Sequence, residues 1–297
     1  LERCPGLYCG RTQLENDTWS ACGPCPRGYR VNEAYACSLC EQSPSTYDWC
    51  YLGFMALLPL IMHWFFIDMA AKERTFSKGQ IILHLSAFIE VILSVVIAIF
   101  ISEPTFTFEL QSCGVKRLAD WYTLFQNPSP NYEEKLYCTQ EAVYPLQTIV
   151  LIFYFLCLVL MMIIRPPLNS KFLKNGKSAV YCALYFFPIL ALLHAVAGGL
   201  IYYAFPYLSI VISMVSNACH FSLKLDQSMK SLFKTSVTEV KNAVIIIGHW
   251  LLLAYGIISL HQHLALLALV PFPALFYIFT VRFTDPSEFR ERDDRNI

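Results

Sequence analysis

The chain has 297 residues, 56% of them hydrophobic and 15% charged, with a mean hydropathy of +0.47. That balance has more apolar and fewer charged residues than soluble domains carry, so it excludes an ordinary soluble protein and points to a membrane protein. Twenty-two cations offset twenty-two carboxylates, which excludes a global basic field for nucleic acid and leaves the information in the sidedness of the charges.

Residues 1–48 read as a cysteine-rich head holding Cys4, Cys9, Cys22, Cys25, Cys37 and Cys40 among few apolar residues. A region this short buries too little surface to fold unaided, so covalent or metal staples are expected. The Cys-x-x-Cys steps at 22/25 and 37/40 have the spacing of a zinc ribbon, in which Cys22, Cys25, Cys37 and Cys40 would close a tetrahedron of thiolates. The sequon Asn16-Asp17-Thr18 is used for glycosylation only on the lumenal or extracellular side. In that oxidising compartment six cysteines are expected to form three disulfides, their pairing left open. A redox-active Cys22/Cys25 lacks a βαβ context. The head has no apolar core of a cleavable signal peptide, so the first span is expected to act as a signal anchor.

Trp49 to Met69 is an apolar run of crossing length, since about 20 residues span roughly 30 Å of hydrocarbon. Lys72, Arg74 and Lys78 follow it, whereas no cation lies between Val31 and Asp48. The head is therefore expected outside and this flank in the cytosol. Cys50, at the membrane edge, reads as a lone thiol.

The second span, 80–101, carries Glu90 near its middle and His84 before it. An intramembrane carboxylate is costly and marks a functional-site hypothesis; the plainer reading is a hydrogen-bonded packing group. Residues 102–142 are acid-rich and cation-poor, which suits a lumenal loop closed by one disulfide between Cys113 and Cys138. The third span, 143–164, is expected to end at Arg165-Pro166-Pro167, and Lys171, Lys174 and Lys177 then mark a cytosolic loop.

Ala179 to Cys219 is one apolar stretch of about 40 residues, roughly 60 Å as a single helix and twice the membrane. Two spans are expected, 179–200 and 206–219, with a turn near Ile201 to Pro206 and close helix contact at Gly198-Gly199. Lys224, Lys230, Lys234 and Lys241 place the next segment in the cytosol. The sixth span covers 242–260. His261-Gln262-His263 reads as a polar lumenal turn rather than a metal pair. The seventh, 264–281, should kink at Pro271 and Pro273, and the tail, 284–297, is solvated and cytosolic. The expected fold class is an all-α polytopic membrane protein: seven transmembrane helices over residues 49–283 behind a small lumenal head.

No enzyme motif is present: no G-x-S-x-G elbow, H-E-x-x-H, P-loop or G-x-G-x-x-G. Neither catalysis nor a cofactor is expected. The segments assigned to the cytosol contain no cysteine, which excludes a RING-type zinc domain. His63, His194 and His249 are expected to be hydrogen-bonded packing residues. A seven-span receptor is one alternative, although neither a D/E-R-Y-like cluster nor N-P-x-x-Y occurs. A transporter that uses Glu90 and the membrane histidines as a proton relay is the other.

The wording of the segments narrows this further. Leu7-Tyr8-Cys9-Gly10, Cys25-Pro26-Arg27-Gly28, Tyr51-Leu52-Gly53-Phe54-Met55, Asp120-Trp121-Tyr122-Thr123, Ala183-Leu184-Tyr185-Phe186-Phe187-Pro188 and Tyr202-Tyr203-Ala204-Phe205-Pro206 follow one another. In that order, over nearly the whole chain, they resemble the JNK-associated membrane protein family. Departures concentrate near Lys72, in His220 to Lys241, and in the tail. The resemblance implies a non-enzymatic adaptor of the endoplasmic reticulum membrane, the plasma membrane being the other location considered. It implies recruitment of proteasomes and ER-associated degradation components, including a RING-type ubiquitin ligase, and binding of the stress kinase JNK with prolonged kinase activity. Lys171-Phe172-Leu173-Lys174 and the segment from Lys224-Leu225 match a kinase-docking pattern loosely, and a solvated basic loop is the plainer reading of each.

Overall fold

Along the second apolar run most large apolar side chains point outward and most small or polar ones inward, the inverse of a soluble bundle. In the helix α2 (Lys78–Ile101), Ile81, Leu85, Ile89 and Ile92 are exposed while Ser86, Ala87, Glu90, Ser94 and Ala98 are buried. Without a hydrophobic drive between helices, packing in lipid relies on small residues and interhelical polar contacts, and this stripe supplies both. Ser77 caps α2 in a capping box with Gln80, which satisfies donors that the first turn leaves unpaired.

The computed structural model describes residues 3–71, 77–129, 135–172, 176–224, 226–261 and 264–284, without the side chains of Arg282 and Thr284. It divides into two compact units, Leu1–Tyr202 and Tyr203–Ile297. The first contains the head, α1 (Thr46–Ala71), α2, α3 (Leu146–Phe172) and the start of α4 (Lys177–Ser222). The second contains the rest of α4, α5 (Met229–Thr238), α6 (Val240–Ser259), a 3₁₀ segment Leu264–Leu269, and α7 (Phe272–Thr284).

Among the described residues there are seven α-helices, and six segments are long and apolar enough to cross a bilayer: α1, α2, α3, α4, α6 and Leu264–Val281. The chain is helical and membrane-type as expected, but its helices differ from expectation at several places. No turn forms at Ile201 to Pro206. Instead α4 runs unbroken for 46 residues, about 69 Å at 1.5 Å per residue. A short helix, α5, occupies the segment expected to be a loop.

Proline tolerance explains the unbroken helix. Pro206 lacks an N–H, so the Tyr202 carbonyl four residues earlier has no helical donor; the Tyr47 hydroxyl donates to it at 2.8 Å. The same device recurs in α1, where Pro59 deprives the Met55 carbonyl and the Tyr154 hydroxyl donates to that oxygen at 3.4 Å. In lipid such freed carbonyls must be satisfied from within the protein. α3 likewise continues past Arg165 and holds both Pro166 and Pro167 inside it. Its last turns are tied down by buried polar contacts, among them Asn169 Nδ2 donating to the Gly176 carbonyl at 3.0 Å.

In the second unit Phe221, Leu232, Ile246, Ala274, Ile278 and Val281 form one buried cluster. It gathers the end of α4, the middle of α5, the start of α6 and α7 from its first turn to its last. The kink expected at Pro271 and Pro273 is a full change of helix type, from the 3₁₀ turn to α7.

Candidate functional site

Disulfides build the head. Cys4–Cys22 and Cys25–Cys37 lie within it, whereas Cys9–Cys138 and Cys40–Cys113 tie it to the segment between α2 and α3. This corrects the expected partition into three bonds inside residues 1–48 and one Cys113–Cys138 bond. The reason is spatial: β1 (Cys9–Gly10) pairs with β2 (Gly23–Pro24), and β3 (Tyr29–Val31) with β4 (Cys37–Leu39), which turns Cys9 and Cys40 toward the loop. Each thiolate of the zinc-ribbon alternative, Cys22, Cys25, Cys37 and Cys40, is consumed in a disulfide. Gly10 sits where a Cβ would lie 2.8 Å from Cys37 Sγ and 3.0 Å from Cys25 Sγ, so the bond needs glycine beside it. Asn16 is exposed in the turn that links Gln13 to Trp19.

Asp120 is the polar centre of the head. It is 2% exposed and accepts from Arg30 Nη2 at 2.8 Å, the Tyr8 hydroxyl at 2.8 Å, and the backbone N–H groups of Lys116 and Arg117 at 2.9 and 3.1 Å. Burial pushes its carboxyl up, but the Lys116 N–H, the Arg30 guanidinium and the Tyr8 hydroxyl outweigh burial and hold it below the usual range. Burial, and then the bond to Asp120, push the Tyr8 phenol well above its ordinary value. Arg30 Nη1 also donates to the Gly114 carbonyl at 2.6 Å. Neither Arg30 nor Asp120 stood out in the sequence; an arginine in a cysteine-rich head is unremarkable until its partner, 90 residues on, is known.

Gly198 and Gly199 do permit a close approach, but by the 3₁₀ turn Leu118–Trp121 of the α2–α3 segment rather than by a neighbouring span. A Cβ on Gly199 would lie 2.7 Å from Trp121 Cβ, and one on Gly198 3.1 Å from the Trp121 ring, so the loop indole occupies the space. Beside it the Tyr202 hydroxyl donates to the buried Asp48 carboxylate at 2.7 Å. The Tyr51 hydroxyl lies 3.1 Å from His194 Nδ1, and His194 Nε2 lies 3.0 Å from the Gln147 carbonyl.

Deeper in the first unit Glu90 meets Arg165. Arg165 Nε donates to Oε1 at 3.1 Å, Nη2 lies 3.0 Å from Oε2, and both side chains are 1% exposed. A charge placed in lipid pairs with another. The signal for the partner was the cation at the edge of the third apolar run, read there as a helix stop. His84 Nε2 lies 3.1 Å from Asp68. His249 Nδ1 is 3.1 Å from the Ser216 hydroxyl, but His63 departs from the expected hydrogen-bonded role: its Nδ1 has no hydrogen-bond partner among the described residues, and its ring packs edge-on against Phe186 and Phe187.

Lys72, Arg74, Leu173, Lys174, Leu225, Gln262, His263 and the tail from 285 lie outside the described residues, and with them much of both candidate docking segments. Among the described residues no group of three or more His, Cys, Asp and Glu could hold a metal ion.

Apolar crossing helices, an intramembrane ion pair and a disulfide-stapled extramembrane head together define a polytopic α-helical membrane protein. More particularly, the chain belongs to the JNK1/MAPK8-associated membrane protein family, whose model matches residues 4–286. It is 47% identical to the human JNK1/MAPK8-associated membrane protein over 96% of this chain and 94% of that one. The mouse protein of the same name is 46% identical over the same shares, and a Caenorhabditis elegans homologue is 32% identical over 94% and 93%. No solved structure matches the chain.

Proposed function

We propose that the protein is a non-enzymatic adaptor of the endoplasmic reticulum membrane, its head in the lumen and its α1–α2 and α3–α4 connections in the cytosol. It recruits proteasomes and ER-associated degradation components, among them a RING-type ubiquitin ligase, and it binds JNK and prolongs its activity. The observation that most supports this reading is membership of a family whose human and mouse members are named for association with JNK1/MAPK8. The sidedness has its own support. Four disulfides suit an oxidising compartment, and Cys9–Cys138 and Cys40–Cys113 require the head and the α2–α3 segment to share one side. Lys78, Lys171 and Lys177 stand at the opposite ends of α2, α3 and α4, as basic residues do on the cytosolic flank. The commitment of Glu90 to Arg165 weighs against a lone proton carrier.

Affinity purification from detergent-solubilised ER membranes tests the adaptor: proteasome subunits, a ubiquitin ligase and JNK are expected, and their absence refutes it. Sidedness is tested by protease added to intact microsomes. An epitope placed in the α1–α2 connection should be removed and the head protected, and a digested head would refute the sidedness. The cytosolic tail expected from two spans within 179–219 needs a turn that the unbroken α4 lacks; with six crossings the carboxyl end is protected together with the head. Glycosidase should shift the mobility of the wild type and leave Asn16→Gln unchanged.

A further inference from the structure

We propose that α5 is a membrane-surface anchor: its outer apolar edge lies in the headgroup and upper acyl region of the leaflet, and Lys230 and Lys234 contact anionic lipid headgroups. The inference stands on the second unit alone and does not depend on the adaptor reading.

The helix is 10 residues long, about 15 Å, half of what a crossing needs. It is nonetheless held against segments that do cross. Leu232 is 1% exposed and packs in one cluster with Phe221 of α4, Ile246 of α6 and Ile278 and Val281 of α7, and the Phe221 and Tyr277 rings stack at 5.3 Å. These residues come from the last turn of α4, the early turns of α6 and the second half of α7, so α5 sits toward one end of that bundle. With α4 ending at Ser222 and α6 starting at Val240, the helix is confined to the level where the spans leave the hydrocarbon.

Its surface has the matching division. Leu232 marks the inward face. Next around the helix come Met229, Phe233 and Val237, four residues apart on one ridge, exposed at 41, 56 and 70%. Val240, the first residue of α6, is also exposed, at 72%. Beyond the ridge lie Lys230 and Lys234, both exposed, followed by Thr238. No acid occurs in the helix; Ser228 N–H donates to Asp226 before it, and Glu239 after it accepts from Asn242 Nδ2. An apolar arc running into a purely cationic edge is the pattern of a helix lying in the interface plane, where lysine stems reach up to phosphate. Anionic lipid strengthens that attraction. α7, which packs on α5 through the Leu232 cluster, also exposes Phe276, Phe279 and Phe283, at 55, 61 and 77%, and a lipid surface would cover both helices' apolar faces without a further partner.

The full chain carrying Phe233→p-benzoylphenylalanine, and separately Thr238→p-benzoylphenylalanine, is irradiated in microsomes and in phosphatidylcholine vesicles with and without phosphatidylserine. Lipid adducts are expected several-fold more at 233 than at 238, with the yield at 233 raised by phosphatidylserine. Lys230→Glu/Lys234→Glu, which leaves the Leu232 contacts in place, should abolish the phosphatidylserine effect. A protein adduct at 233 in microsomes, no lipid adduct there, or equal yields at 233 and 238 would overturn the proposal.

Discussion

The Glu90 carboxylate and the Arg165 guanidinium face each other at 3.0 to 3.1 Å, each 1% exposed. Removing one partner of a buried pair strands the other charge, at a cost of about 3–5 kcal/mol, whereas replacing both by apolar groups is often neutral. Glu90→Gln should therefore lower the thermal unfolding temperature in detergent strongly, and Glu90→Leu/Arg165→Met should recover most of the loss. Equal stability of Glu90→Gln and wild type would show that the pair holds nothing together.

Cys9 and Cys138 are joined across 129 residues of sequence. Cys138→Ala should expose the Cys9 thiol to a membrane-impermeant maleimide on the head side, and Cys9→Ala/Cys138→Ala should take up no more there than the wild type. Loss of such a bond costs about 2–5 kcal/mol, read as reduced resistance of the head to protease.

Asp120 gives the head an acid limit. Its carboxyl is held below the ordinary value in the folded state, so the native state binds fewer protons than the unfolded one near that range. The resulting stability is fully present above the unfolded value of about 3.9 and is lost as pH falls through the lower folded one. In Asp120→Asn that acid-dependent component should vanish, and stability near neutral pH should drop on the order of 2 kcal/mol for hydrogen bonds to a charged group. Unfolding followed from pH 7 downward, wild type against variant, checks both.

Gly199 admits Trp121 at a distance no Cβ tolerates. Gly199→Ala should displace the indole and cost roughly 1–3 kcal/mol, as overpacking does. Gly198→Ala, with its nearest ring atom at 3.1 Å, should cost less. Thermal unfolding ranks the two, and the reverse order would refute the reading.

Several elements were legible without coordinates because one property sufficed. Crossing length marked α1, α2, α3 and α6; the composition of residues 1–48 demanded staples; Glu90 demanded a partner. The misreadings share a cause. Phe205-Pro206 and Arg165-Pro166-Pro167 carry the local signal of a helix stop, yet α4 and α3 run through them, and at Pro206 a tyrosine hydroxyl from 155 residues away takes the freed carbonyl. α5 was missed because a ten-residue segment rich in polar and charged positions looks like a loop until Leu232 finds its cluster.

Hydropathy and charge order are one-dimensional quantities, and the sequence by itself determined their direct consequences: a membrane protein, most of its long apolar segments, and a head needing covalent support. Partnership is set by proximity between positions far apart in the chain. Only the tertiary structure decided that Cys9 bonds Cys138, that Arg30 and Tyr8 converge on Asp120, and that Arg165 neutralises Glu90, since many pairings satisfy the same chemistry and packing admits one.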